Sequence, residues 1–142
     1  MNTPRELWRS RFESEWRSRC HLTVPQQDAA HLKKFGVSKT QVLSPFLDAI
    51  GTQSSILEVG CSYGGQLAFL HHHGFDDLTG IDISKDAVLQ AGSERGVQAD
   101  LTVGDAASLP FATDAFDVVV TSGCMIHISA PSCWGSAGRS LA

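Results

Sequence analysis

The sequence predicts an α/β fold, a parallel sheet of about four strands preceded by a helical segment. Three observations carry that prediction. Short apolar runs recur from Ser55 onward: "SILEVG", "DLTGIDI", "ADLTVGD" and "FDVVVTSG". Stretches with helical periodicity, "GGQLAFLHHHG" and "SKDAVLQAGSERG", separate the first three. Glycines and acids gather where each strand gives way to its loop. Strands alternating with helices need crossover connections, and crossovers make neighbouring strands parallel.

Residues 1–51 are expected to form an N-terminal helical extension. Thr3 is a candidate N-cap, with Pro4 at the first helical position and Glu6 closing a capping box. Leu7, Trp8, Phe12 and Trp16 then form an apolar stripe. That stripe is read as packing, with substrate stacking the alternative, and the helix as a lid over the site. Arg5, Arg9, Arg11, Arg17 and Arg19 alternate with Glu6, Glu13 and Glu15. They suit a solvated helix face, with contact to an anionic substrate as the alternative. Pro25 opens a second helix that Gly36 ends. Ser38 with Gln41 forms another capping box. Pro45 is expected to break or restart that helix, and "PFLDAIG" runs to a stop at Gly51.

Residues 52–129 are expected to hold the sheet. The helix after the first strand ends at Gly74, and Ser84 caps the next one. Ala99, Leu101 and Val103 share one face of the third strand at period two. The fourth strand is almost continuously apolar. Residues 130–142 have no helical period and are expected to be irregular.

The bulk numbers exclude several classes. The chain has 142 residues, 42% hydrophobic and 18% charged, with net charge −4. That balance does not suit a nucleic-acid binder. The apolar runs are too short for a membrane span, and "MNTPRELWRS" is no signal peptide. Cys20, Cys61, Cys124 and Cys133 form no metal-ligand spacing and are read as reduced cytoplasmic thiols. His71, His72 and His73 point in different directions on a helix, so no metal site is expected.

In an open α/β sheet, ligands bind beyond the carboxyl ends of the strands. Gly60, Gly64 and Gly65 lie there, in the pattern E-x-G-x-x-x-G-G. The dinucleotide fingerprint is G-x-G-x-x-G, which this does not match. Glu58, just before the first glycine, would repel phosphate and suit a ligand with ammonium and sulfonium charge. Asp82 ends the second strand, where a carboxylate can accept both ribose hydroxyls; the alternative is an acid near a helix N-cap. Asp105 with the Ala106 backbone can read an adenine edge; the alternative is an Asx-turn.

These segments resemble a known family. "ILEVGCSYGG", "LTGIDIS", "GDAASLPF" and "FDVVVTSGCMIHI" are similar, in order, to four motifs of class I S-adenosylmethionine-dependent methyltransferases. The resemblance covers Ser55 to Ser129. It implies a Rossmann-like sheet, S-adenosylmethionine as cofactor, and an unidentified small-molecule methyl acceptor. By it, Glu58, Gly60 and Gly64 contact the methionine end, Asp82 holds the ribose, and Asp105 with Ala106 meets the adenine. Cys61, Ile83 and Thr121 complete the expected cofactor contacts, although the Cys61 side chain is read as packing. Ser62 stands where many members have glycine. "SGCMIHI" and the N-terminal W…F…W helix resemble a methylase subgroup of nonulosonic-sugar (pseudaminic acid) biosynthesis.

A general base is needed only for a protonated acceptor. Thr121, Ser122 and His127 are the candidates, with a buried loop-pinning role the alternative for His127. The family's sheet normally has more strands than the four readable here, and the tail lacks the expected helix; the resemblance thus implies that the fourth strand has an exposed apolar edge, which invites pairing, including with a second copy as a homo-oligomer. A shifted reading frame or otherwise aberrant end is the expectation, with a cut chain the competing explanation. Two other functions stand beside the methyltransferase. One is a non-catalytic module that binds a cofactor or a partner. The other is a nicotinamide-dependent oxidoreductase, which the glycine spacing and Glu58 oppose.

Overall fold

In the computed structural model, the described residues are 22–93, 96–122 and 124. The expected Thr3-capped helix, His127 and the tail at 130–142 lie outside them.

The first described helix, α1 (Val24–Phe35), opens on a reciprocal capping box. The Thr23 hydroxyl accepts the Gln26 N–H, and the Gln26 side chain accepts the Thr23 N–H. Gly36 ends it in the left-handed conformation that glycine adopts at no steric cost. The second, α2 (Lys39–Ala49), carries the expected Ser38–Gln41 box. The expected break at Pro45 does not occur, because the helix runs through it. Proline's fixed φ is helical, and both Pro45 and Gln41 are exposed, so water can serve the carbonyl left without an N–H partner. The helix ends at Ile50, which is extended, so Gly51 lies beyond the stop instead of forming it.

Strands β1 (Ile56–Val59), β2 (Leu78–Asp82), β3 (Asp100–Val103) and β4 (Val118–Thr121) form one sheet in the order β3-β2-β1-β4. All three pairings are parallel. Helices α3 (Gly65–His72) and α4 (Lys85–Ser93) are the crossovers. Every residue of β1 and β2 is buried, which explains their unbroken apolar reading. The flanking strands differ. Val119 of β4 is 59% exposed, and among the described residues β4 is hydrogen-bonded on one side only. The expected common face of Ala99, Leu101 and Val103 is only partly buried. Ala99 and Leu101 pack on the core, but Val103, at the strand end, is 47% exposed.

Core packing occupies both faces of the sheet. On one, Ile56 and Leu78 meet Leu67, Phe69 and Leu70 of α3, and Leu47 of α2 joins them. The N-terminal helices therefore share the sheet's core. On the other face, Leu57, Val59 and Ile81 meet Phe111 and Phe116, whose rings pack edge to face at 5.1 Å. At the amino ends of β1 and β4, the Asp117 carboxylate accepts the Ser55 N–H at 2.9 Å and its hydroxyl at 3.1 Å. The Ser55 carbonyl accepts the N–H groups of Asp117 and Val118.

Candidate cofactor site

The sheet brings Glu58, Gly60, Gly64 and Asp82 together at the carboxyl ends of its two inner strands. Gly60 and Gly64 hold φ of 78° and 82°, so the chain turns sharply out of β1 and into α3. Ser62, between them, also has positive φ, 49°. The backbone thus keeps the left-handed conformation at the position where the family pattern has glycine. Close approach excludes side chains as well: a Cβ on Gly60 would lie 2.5 Å from the Cys124 Cβ.

The turn is tied to β2. The Ile81 carbonyl accepts the N–H groups of Gly60 and Cys61 at 2.8 and 3.0 Å. Asp82 then accepts the Ser62 N–H on one carboxylate oxygen (2.8 Å) and the Ser84 N–H on the other (2.9 Å). Asp82 is 5% exposed, and burial raises its pKa against the pull of the N–H groups of Ser84, Ser62 and Ile83. Ser84 caps α4 as expected, its hydroxyl accepting the Ala87 N–H at 3.3 Å.

Glu58 is 2% exposed, and its Oε2 has no hydrogen-bond partner among the described residues. Burial pushes its pKa up to about 8, opposed by Lys39 and reinforced by Asp82. Its direction follows from the register. Glu58 pairs with Gly80, where a Cβ would lie 2.6 Å from Leu67 of α3, so Glu58 faces the helical layer.

The remaining expected site residues differ in placement. Cys61 is buried in the core, and burial pushes its thiol up, which suits a packing residue and not a nucleophile. Ile83 is half-buried just beyond β2. Asp105 makes the Asx-turn weighed as its alternative, one carboxylate oxygen accepting the Ala107 N–H at 2.9 Å. Ala106 packs beneath it on the second core face. Thr121 ends β4 beside Val59 and is exposed. No cluster among the described residues could hold a metal ion. No helix among them is long and apolar enough to cross a membrane.

Sequence reasoning missed a polar cluster where α1, α2 and α3 meet. The Gln27 amide donates to the Gly65 carbonyl at 3.2 Å, and its oxygen accepts from the Lys39 ammonium at 2.9 Å. Beside it, Asp28 accepts the Thr40 N–H and hydroxyl at 2.8 and 2.6 Å, and Thr40 Oγ1 lies 3.3 Å from His73 Nε2. No sequence spacing announces these contacts, which depend on how three helices pack.

The sequence profile of a methyltransferase domain family matches residues 56–141. The chain is similar to several solved structures. The PH0226 protein from Pyrococcus horikoshii OT3 is 28% identical at TM-score 0.55, with 66% of this chain and 46% of that one covered. An S-adenosylmethionine dependent methyltransferase from Mesorhizobium loti shares the fold at 19% identity and TM-score 0.57, with 69% and 48% covered. A geranyl diphosphate C-methyltransferase from Streptomyces coelicolor A3(2), solved with S-adenosyl-L-homocysteine, shares it at 15% identity and TM-score 0.56, with 70% and 40% covered. The chain spans less than half the length of each.

Proposed function

The chain belongs to the methyltransferase domain family, and from that premise we propose that it is an S-adenosylmethionine-dependent methyltransferase acting on a small-molecule acceptor. The observation that carries this reading is the junction of Asp82 with Ser62. It joins the acid ending β2 to the glycine turn after β1, at the strand ends where open α/β sheets take ligands.

The residues present fit an adenosyl ligand with a cationic amino-acid arm. Each oxygen of Asp82 accepts one backbone N–H and keeps lone-pair capacity for a ribose hydroxyl. The buried, unpartnered Oε2 of Glu58 suits an ammonium donor and opposes a pyrophosphate. The cofactor, when bound, supplies a methyl group activated on a sulfonium. The chain's part is to hold and orient. Glu58 and the Gly60–Gly64 turn take the methionine end, Asp82 and Ile83 the ribose, and Asp105 with Ala106 the adenine. Thr121, at the end of β4, is a further cofactor contact, with His127 the candidate base. Residues 122–128 make a nonulosonic sugar the first acceptor to try. The buried Cys61 thiol is unbridged, in keeping with a cytoplasmic setting.

A second reading, a cofactor- or partner-binding module without catalysis, draws on the exposed Val119 edge of β4. Calorimetric titration of the full chain with S-adenosylhomocysteine and with NAD tests the first. Binding of S-adenosylhomocysteine alone is expected. Binding of NAD alone overturns the proposal, and binding of neither turns it toward the second reading.

A further inference from the structure

We propose that the cavity between α2 and the carboxyl end of α3 is a second ligand site, which takes a small primary alkylammonium ion: its wall offers acceptors and a negative charge over an apolar floor. The site is independent of the cofactor reading, because it lies at the other end of α3 from the glycine turn. The eight residues of that helix separate the two by about 12 Å.

The cavity holds about 170 Å³, room for roughly six heavy atoms. Leu47 and Phe75, both buried, form its apolar floor. Thr40, Ser44, Asp48 and His73 supply the polar wall, and the protons they carry are already committed. The Thr40 hydroxyl donates to the Asp28 carboxylate at 2.6 Å. Having a single proton, it meets His73 Nε2, 3.3 Å away, as an acceptor. Nε2 therefore carries the imidazole proton. Burial holds His73 below its usual range, so the ring is neutral near pH 7 and Nδ1 keeps a lone pair. The Ser44 hydroxyl donates to Asp48 at 3.4 Å. What the wall leaves over is lone pairs, on Nδ1, on the two hydroxyl oxygens and on the Asp48 carboxylate. Thr52, exposed at the edge, can turn its hydroxyl either way.

Charge points the same way. Helix α2 ends at Ala49 and α3 at His72, next to Asp48 and His73, and helix carboxyl ends favour cations. Among the described residues Asp48 forms no ion pair. The Lys39 ammonium is committed elsewhere: it donates to Gln27 at 2.9 Å, lies over the Phe69 ring and is not part of the cavity wall. Asp28 offsets its charge. His71, one turn of the chain away, pairs with Asp76 at 3.2 Å. A carboxylate or phosphate in the cavity would meet lone pairs and Asp48. A bare metal ion is no better served, because no cluster among the described residues could hold one. An ammonium brings three donors to those lone pairs, and a short alkyl chain covers Leu47 and Phe75.

The test is an NMR titration of the full 142-residue chain with n-butylammonium chloride near pH 7, with n-butanol and butyrate as the matched neutral and anionic probes. Saturable shifts of the His73 ring and of the Thr40 and Thr52 amides are expected, with affinity in the millimolar range that so small a ligand allows. Butanol should bind at least about tenfold more weakly, and butyrate should not bind. Asp48→Asn should weaken butylammonium binding about tenfold, since it removes a charge-assisted hydrogen bond. Asp48 is exposed, so this variant should fold; melting temperatures check it, and Asp48→Ser replaces it if it does not. His73→Phe, which keeps a ring without the lone pair, should cost about threefold, read from the two threonine amides. No saturable shift, butanol or butyrate binding as well as butylammonium, or unchanged affinity in the Asp48 variant overturns the inference. So do shifts confined to Gly60 and Ser62, which place the amine at the cofactor turn instead.

Discussion

The carboxylate of Asp82 accepts the backbone N–H of Ser62 at 2.8 Å, joining the end of β2 to a turn 20 residues earlier in the chain. Its other oxygen accepts the Ser84 N–H, so one buried acid organises two loops. Asp82→Ala is expected to weaken S-adenosylhomocysteine binding by about 1–3 kcal/mol, the range for hydrogen bonds lost at a buried charged group. Asp82→Asn, which keeps one acceptor oxygen, should lose less. Calorimetric affinities check both, and an unchanged value for Asp82→Ala removes Asp82 from the site.

Ser62 occupies left-handed backbone, φ 49°, that non-glycine residues enter at a cost of about 1–3 kcal/mol. Glycine relieves that strain but gives back roughly 0.5–1 kcal/mol in chain entropy. Ser62→Gly should therefore raise stability by about 1 kcal/mol, and Ser62→Val should lower it by about 2 kcal/mol. Urea midpoints of the two variants settle the sign; a less stable glycine variant would contradict the strain argument.

Gly60 faces a second constraint besides φ. An alanine there would place Cβ 2.5 Å from the Cys124 Cβ and 2.8 Å from its sulfur. Gly60→Ala is expected to destabilise by about 2–4 kcal/mol, from overpacking and backbone strain together. Combining it with Cys124→Gly removes the clash but not the strain. The double variant should recover part of the loss relative to Cys124→Gly alone, and chemical denaturation of the four chains measures the coupling.

Glu58 makes stability depend on pH in a defined direction. Burial lifts its folded-state pKa from 4.5 to about 8, with Lys39 opposing and Asp82 adding. The folded chain therefore holds this proton more tightly than the unfolded chain. The contribution is fully present below about pH 4.5 and is lost as pH rises through about 8. Asp82, also raised, acts in the same sense, whereas the lowered pKa of Asp28 gives a term that is lost toward acid. Glu58→Gln should flatten the decline between those limits by an amount of the order of a few kcal/mol. Melting curves across this range check it; an equally steep decline in the variant would show that Glu58 is not its source.

The inner strands were legible because buried parallel strands read as apolar runs, and because glycine punctuates them at Gly60, Gly64 and Gly74. Thr23 could have been read as a cap from its spacing to Gln26, since the box depends only on local residues. Pro45 misled because its cost depends on exposure, which a sequence does not print. Val103 misled because alternation fixes a face but not how far the helical cover extends. Asp105 stayed open between two uses, and its Asx-turn emerged only with the loop. Gln27 and Lys39 were invisible for a different reason. Gln27 meets a carbonyl 38 residues away, and generic side chains acquire such contacts only through packing.

The Ser55–Asp117 clasp lies at the opposite end of β1 and β4 from Glu58, Gly60 and Thr121. Register is thus pinned at one end of the sheet, and the candidate chemistry sits at the other. For protein engineering this is a convenient separation. Loops leaving β2, β3 and β4 can be shuffled or grafted in a library while the clasp keeps the strands in step. Screening for new acceptors can begin from that end without reopening how the barrel-less, open sheet finds its alignment.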